Sequence, residues 1–133
     1  MESKERVTAV FTVWLRKAKQ ENWGLWKGDD QERMNKLIHL TQGICAELGI
    51  PHPTLRLDPA VSAFLGVTYP DSGTILVSKP SVVTTLHELA HYTCHKLGVL
   101  NSERNARQIS LESFFSVWPK KRGRSDIFYK DEV

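Results

Sequence analysis

The chain has 133 residues, 41% of them apolar and 25% charged, with a net charge of +3, which fits one domain with its own core and gives no ground for a two-domain or strongly basic nucleic-acid-binding protein. No apolar run approaches the roughly 20 residues of a membrane helix, and "MESKERVTAVF" lacks the layout of a secretory signal. The expectation is a cytoplasmic protein in which Cys45 and Cys94 stay as thiols.

From Val7 the apolar residues Val10, Phe11, Trp14, Leu15 and Ala18 recur at helical spacing and predict a first helix. "NWGLWKGDD" breaks that period, and Asp29 followed by Glu32 reads as a capping box opening a second helix. The apolar stripe of that helix is Met34, Leu37, Ile38, Thr41, Cys45 and Leu48, and Gly49 with the prolines of "GIPHP" ends it. Three β-rich runs follow, "TLRL", "AFLGVTY" and "TILVS", the last two joined by the turn "PDSG" into a hairpin. Ser78 and Pro80 signal the start of a third helix ending at Gly98. A fourth helix is predicted from about Asn101 or Ser102, stopping before Pro119. The order implies an α+β fold with a small, mostly antiparallel sheet: one domain over residues 1–119 and a basic tail over 120–133.

The third helix carries the chemistry. In "HELAH", His87 and His91 stand four apart, so both imidazoles project from one helical face and can share an ion. This is zinc-hydrolase spacing: zinc takes imidazole nitrogens in a tetrahedral set with one position open in catalytic sites. Glu88, directly after the first histidine, is placed to take a proton from an attacking water and return it to the leaving amine. Val82, Leu86, Leu89, Ala90 and Leu97 lie on the other side of the helix, which predicts a core face opposite a metal face open to a cleft.

For a third ligand the chain offers His95, Glu103 and Glu112. On a continuous helix His95 sits about 12 Å along the axis from His87, too far to share the ion. Glu103 opens the returning helix after the short turn "GVLNS" and is the preferred candidate, while Glu112 lies lower on that helix. Other candidates are weaker. Tyr69 and Tyr92 are possible oxyanion donors, though packed tyrosines are common. Cys94 is most simply a buried helical thiol. "AFLGVTY" is a candidate edge strand for an extended peptide, and the tail segment with Ile127, Phe128 and Tyr129 a candidate occupant of that edge.

With "HELAH" followed by "SERNARQISLESFF", the sequence resembles the compact gluzincins, including ImmA/IrrE-type metallopeptidases and minigluzincins, over about Ala63 to Pro119. The resemblance implies a zincin-like fold in which His87, His91 and Glu103, the last opening a Glu-x-x-Ala pattern, bind Zn2+ and Glu88 is the general base. It implies a zinc-dependent peptidase acting on a peptide or protein substrate. Two alternatives stand beside it. One is a non-catalytic metal-binding regulatory or interaction module. The other is a SprT-like DNA-associated protease recruited through "KKRGR", for which a solvated basic tail is the plainer reading and in which no suitable histidine follows His95.

Overall fold

The computed structural model describes residues 3–61 and 66–121. It is an α+β arrangement of four α-helices and a three-stranded mixed sheet. The elements are α1 (Lys4–Gln20), α2 (Asp30–Leu48), β1 (Thr54–Leu57), β2 (Gly66–Tyr69), β3 (Thr74–Val77), α3 (Val82–Leu97) and α4 (Glu103–Val117), with a 3-10 turn over Pro119–Lys121.

Helix boundaries follow from local capping. The Asp29 carboxylate accepts the Glu32 amide at 2.8 Å while the Glu32 side chain accepts the Asp29 amide at 3.1 Å, so the capping box read from the sequence forms. Gly49 and Gly98 close α2 and α3 in the left-handed conformation, each at φ 72°. Helix α3 starts at Val82, later than the signals at Ser78 and Pro80 suggested. Its cap is Ser81, whose hydroxyl accepts the Thr84 amide at 3.0 Å, and Pro80 lies just outside. Ser102 caps α4 in the same way, accepting the Asn105 amide at 3.0 Å.

Sheet order is β1-β3-β2. The β2–β3 hairpin is antiparallel, with Thr68 opposite Ile75, as the "PDSG" turn predicted. In contrast, β1 pairs with β3 in parallel, Thr54 opposite Thr74 and Leu57 opposite Val77. The sheet is therefore mixed rather than mostly antiparallel. The chain leaves β1 and re-enters the sheet on the far side of β3, so the returning hairpin arm slots between its two neighbours and runs with the first. The Ala63–Leu65 part of "AFLGVTY" lies outside the described residues, as does the tail from residue 122, including Ile127, Phe128 and Tyr129.

The core is built by α1 (Val7, Phe11, Leu15), α2 (Leu37, Leu40, Ile44), β3 (Ile75, Val77), α3 (Leu86, Leu89) and α4 (Ile109, Phe114). On α4 the inward stripe also holds Ala106, Ser110 and Ser113. These small side chains let its backbone approach its neighbours α1 and α3, and Ser113 stays buried by bonding back to the Ile109 carbonyl at 2.7 Å. The four tryptophans serve packing: Trp26 meets the ring of Trp118 edge-on at 5.1 Å, and the indole of Trp14 donates to Glu47 at 2.9 Å. Among the described residues no helix is long and apolar enough to cross a membrane.

Removing the cap that starts α2 tests this local logic. Asp29→Ala should cost about 1 kcal/mol of stability, read as a lowered urea midpoint at unchanged m-value.

Candidate metal centre

Two helices meet at the site. Helix α3 supplies both histidines one turn apart, with ring centroids 4.9 Å apart and planes at 82°. Helix α4, returning after the turn that follows Gly98, sets its first residue across them. Nε2 of His87 lies 2.6 Å from Oε1 of Glu103, and Nε2 of His91 lies 3.0 Å from Oε2. One nitrogen from each imidazole and one carboxylate oxygen thus lie within 4.8 Å of one another. The structure brings together the three residues the sequence singled out.

The other proposed ligands stay apart. His95 is exposed and faces Asp71, 3.6 Å away, and Glu112 is exposed on α4. Tyr92 is buried and donates its hydroxyl to the Pro51 carbonyl at 2.7 Å, which commits it to the core and removes it as an oxyanion donor. Tyr69 is half-exposed on β2. Cys94 is buried, and burial pushes its thiol up, so it is an inert packing group.

One expectation needs correction. The metal face of α3 was expected to open to a cleft, but His87 and Glu88 are only 7% and 8% exposed. Strand β2 and helix α4 both pack onto α3 and close over its polar face. The exposed member of the cluster is Glu103, with 66% of its side chain accessible against 18% for His91.

Two contacts that the motif does not announce shape the site. Oδ1 of Asn101, in the α3–α4 turn, lies 2.6 Å from Nδ1 of His91. An amide oxygen is an acceptor, so it places the proton on Nδ1 and leaves Nε2 as the nitrogen available to an ion. The turn is itself tied by the Asn105 amide, which donates to the Leu100 carbonyl at 2.9 Å. The second contact is the Thr68 hydroxyl on β2, which donates to Oε1 of Glu88 at 2.7 Å and lies 3.0 Å from the Glu88 carbonyl. Neither Asn101 nor Thr68 belongs to a sequence signature. The one advance signal was the position of Asn101 in the turn before Glu103.

The donor set suits a divalent ion. Nε2 of His91 faces a Glu103 oxygen at 3.0 Å while Nδ1 faces Asn101, and two imidazoles with a carboxylate are zinc-type ligands. Burial holds His87 below the usual histidine range, against the opposing pull of Glu103 and Glu88, and so keeps it in the neutral form a metal requires. Burial pushes Glu103 upward, but the neighbouring His87 and His91 outweigh it, and the carboxyl is held below the usual carboxylate range.

The His87 shift has a consequence for stability in the absence of metal. Unfolding returns the imidazole to about its ordinary pKa of 6.5, so the unfolded chain binds the extra proton first as pH falls. Stability is then full above 6.5 and declines below it, until the folded-state pKa is reached. Chelator-treated protein should lose stability between pH 7 and pH 5, by up to about 1.4 kcal/mol per pH unit from one proton. In His87→Gln that share of the pH slope should vanish in urea titrations. Zinc-competition titrations give a second test: Glu103→Ala should weaken binding more than Asn101→Ala, and Asn101→Ala by about 10-fold or more. His95→Ala and Glu112→Ala should match the wild type. In comparisons with protein-family models, characterised proteins and solved structures, nothing matches the chain.

Proposed function

We propose that the chain is a zinc-dependent peptidase with a zincin-like fold of the compact gluzincin type. One observation carries the reading: His87, His91 and Glu103 converge from two helices, and the residue between the histidines that can move a proton, Glu88, is separately held by Thr68. The order of elements supports it, a hairpin leading into the histidine helix and a returning helix whose first residue is the third ligand.

His87, His91 and Glu103 would hold the ion, which in such a set polarises a carbonyl and lowers the pKa of water. Glu88 takes the proton from the attacking water as the new bond forms between the water oxygen and the peptide carbonyl carbon. It then delivers that proton to the amine nitrogen as the carbon–nitrogen bond breaks. Asn101 keeps His91 in the coordinating tautomer throughout. The buried setting of His87 and Glu88 limits competing water and strengthens the electrostatics of proton transfer.

Glu88→Gln tests the assignment, because the amide can still bond water but cannot take its proton. On a peptide library, turnover by the zinc-loaded protein should fall about 10²- to 10⁴-fold with zinc affinity unchanged. Equal turnover by wild type and variant would remove Glu88 as the base. A wild type that holds stoichiometric zinc and cleaves nothing would make the chain a non-catalytic metal-binding module. Cleavage seen only with added DNA would favour the DNA-associated alternative.

A further inference from the structure

We infer that Thr68 is the positioning residue of the site, a clamp on strand β2 that holds the Glu88 carboxylate in one rotamer and reserves Oε2 as the oxygen that exchanges protons. The inference rests on the peptidase reading of Glu88 and extends it to a residue of another element.

The geometry begins with a missing side chain. Gly66 and Thr68 stand two apart on β2 and therefore on the same face of the strand. A Cβ at Gly66 would lie 2.9 Å from Cγ of Glu88 and 3.0 Å from Cγ2 of Thr84, so Glu88 would have to shift to admit it. A glycine lets α3 come this near to the strand without displacing Glu88. That approach brings the Thr68 hydroxyl to 2.7 Å from Oε1 of Glu88 and 3.0 Å from the Glu88 main-chain oxygen.

A threonine hydroxyl has one proton, and both oxygens within reach are acceptors when Glu88 is ionised. The proton points between them, weighted toward the shorter contact. Side chain and main chain of the same residue are thereby tied to one donor, which restricts the glutamate more than a single bond to its carboxylate would. Glutamate otherwise loses much rotamer entropy when it is ordered. Here the strand bears that cost in advance, so the base need not be ordered during reaction. With Oε1 committed to Thr68, the proton taken from water goes to Oε2. The contact reaches neither His87, His91 nor Glu103, so its removal should leave metal binding alone.

Isosteric replacement separates this role from packing. Thr68→Val keeps the β-branched shape and deletes the donor, whereas Thr68→Ser keeps the donor. In the zinc-loaded protein, Thr68→Val should lower kcat on a cleaved library peptide by about 10-fold or more. KM and zinc affinity should stay within about twofold, and Thr68→Ser should restore most of kcat. A second readout needs neither metal nor turnover: the 13C carboxyl resonance of Glu88, assigned by its loss in Glu88→Gln, should move in Thr68→Val and hold its place in Thr68→Ser. Gly66→Ala, which displaces Glu88 sterically, should move the same resonance. An unmoved resonance with unchanged kcat in Thr68→Val overturns the clamp. A rise in KM at constant kcat overturns it in favour of a substrate contact, and failure of Thr68→Ser to restore kcat overturns it in favour of packing. Should the zinc-loaded wild type cleave nothing, the peptidase reading and the catalytic use of the clamp both fall, while a moved resonance still establishes the hold of Thr68 on Glu88.

Discussion

The site depends on the reversal of chain between Gly98 and Ser102. A left-handed glycine stops α3, Ser102 starts α4, and the short turn between them returns the chain onto α3. That constraint delivers Glu103 to the two imidazoles. It also explains why the carboxylate comes from the first helical position: the unpaired amides there favour negative charge, so Glu103 is stabilised from behind by its own helix while it faces His87 and His91. Asn101 belongs to the same reversal, so a single turn supplies Glu103 and fixes the tautomer of His91.

The sheet contributes from the other side. Among the described residues strand β2 is at the edge of the sheet, hydrogen-bonded to β3, and its inner face rests on α3. Gly66 sets the spacing and Thr68 uses it. Helix α3 is consequently polar along a face that is almost as enclosed as its apolar one, an arrangement that works because every charged or titratable group there has a partner: Thr68 for Glu88, Glu103 for His87, and Glu103 with Asn101 for His91. Burial then has two effects at once, neutralising His87 and holding the rotamers in place.

Much of this was legible in the sequence because it is encoded locally. The capping box at Asp29 and Glu32, the helix stop at Gly98, the hairpin turn and the His-Glu-x-x-His spacing each fit within a few residues, and each formed. Glu103 was reachable because it opens the helix that follows the histidine helix after a short turn. What escaped depends on distant parts of the chain. The parallel pairing of β1 with β3 is decided by which side of the sheet the hairpin enters, and no residue within either strand records that. Thr68 is twenty positions before Glu88, and its side chain matters only because Gly66 lets two elements touch. The enclosed state of His87 and Glu88 likewise arises from the way β2 and α4 pack over α3, whereas helical periodicity alone suggested an open face.

The uneven exposure of the three candidate ligand side chains, buried for His87 and open for Glu103, bears on how an ion would come and go. The two histidines are fixed to a helix in the core, so their spacing changes little without disturbing the whole fold. Glu103 is on the surface and needs only a rotamer change to let go of its partners. Metallation would therefore begin with the carboxylate swinging outward, accepting a hydrated ion from solvent and carrying it inward as water is shed to the imidazoles. Release would retrace that path. An ion held there would then exchange through one surface side chain rather than through opening of the domain.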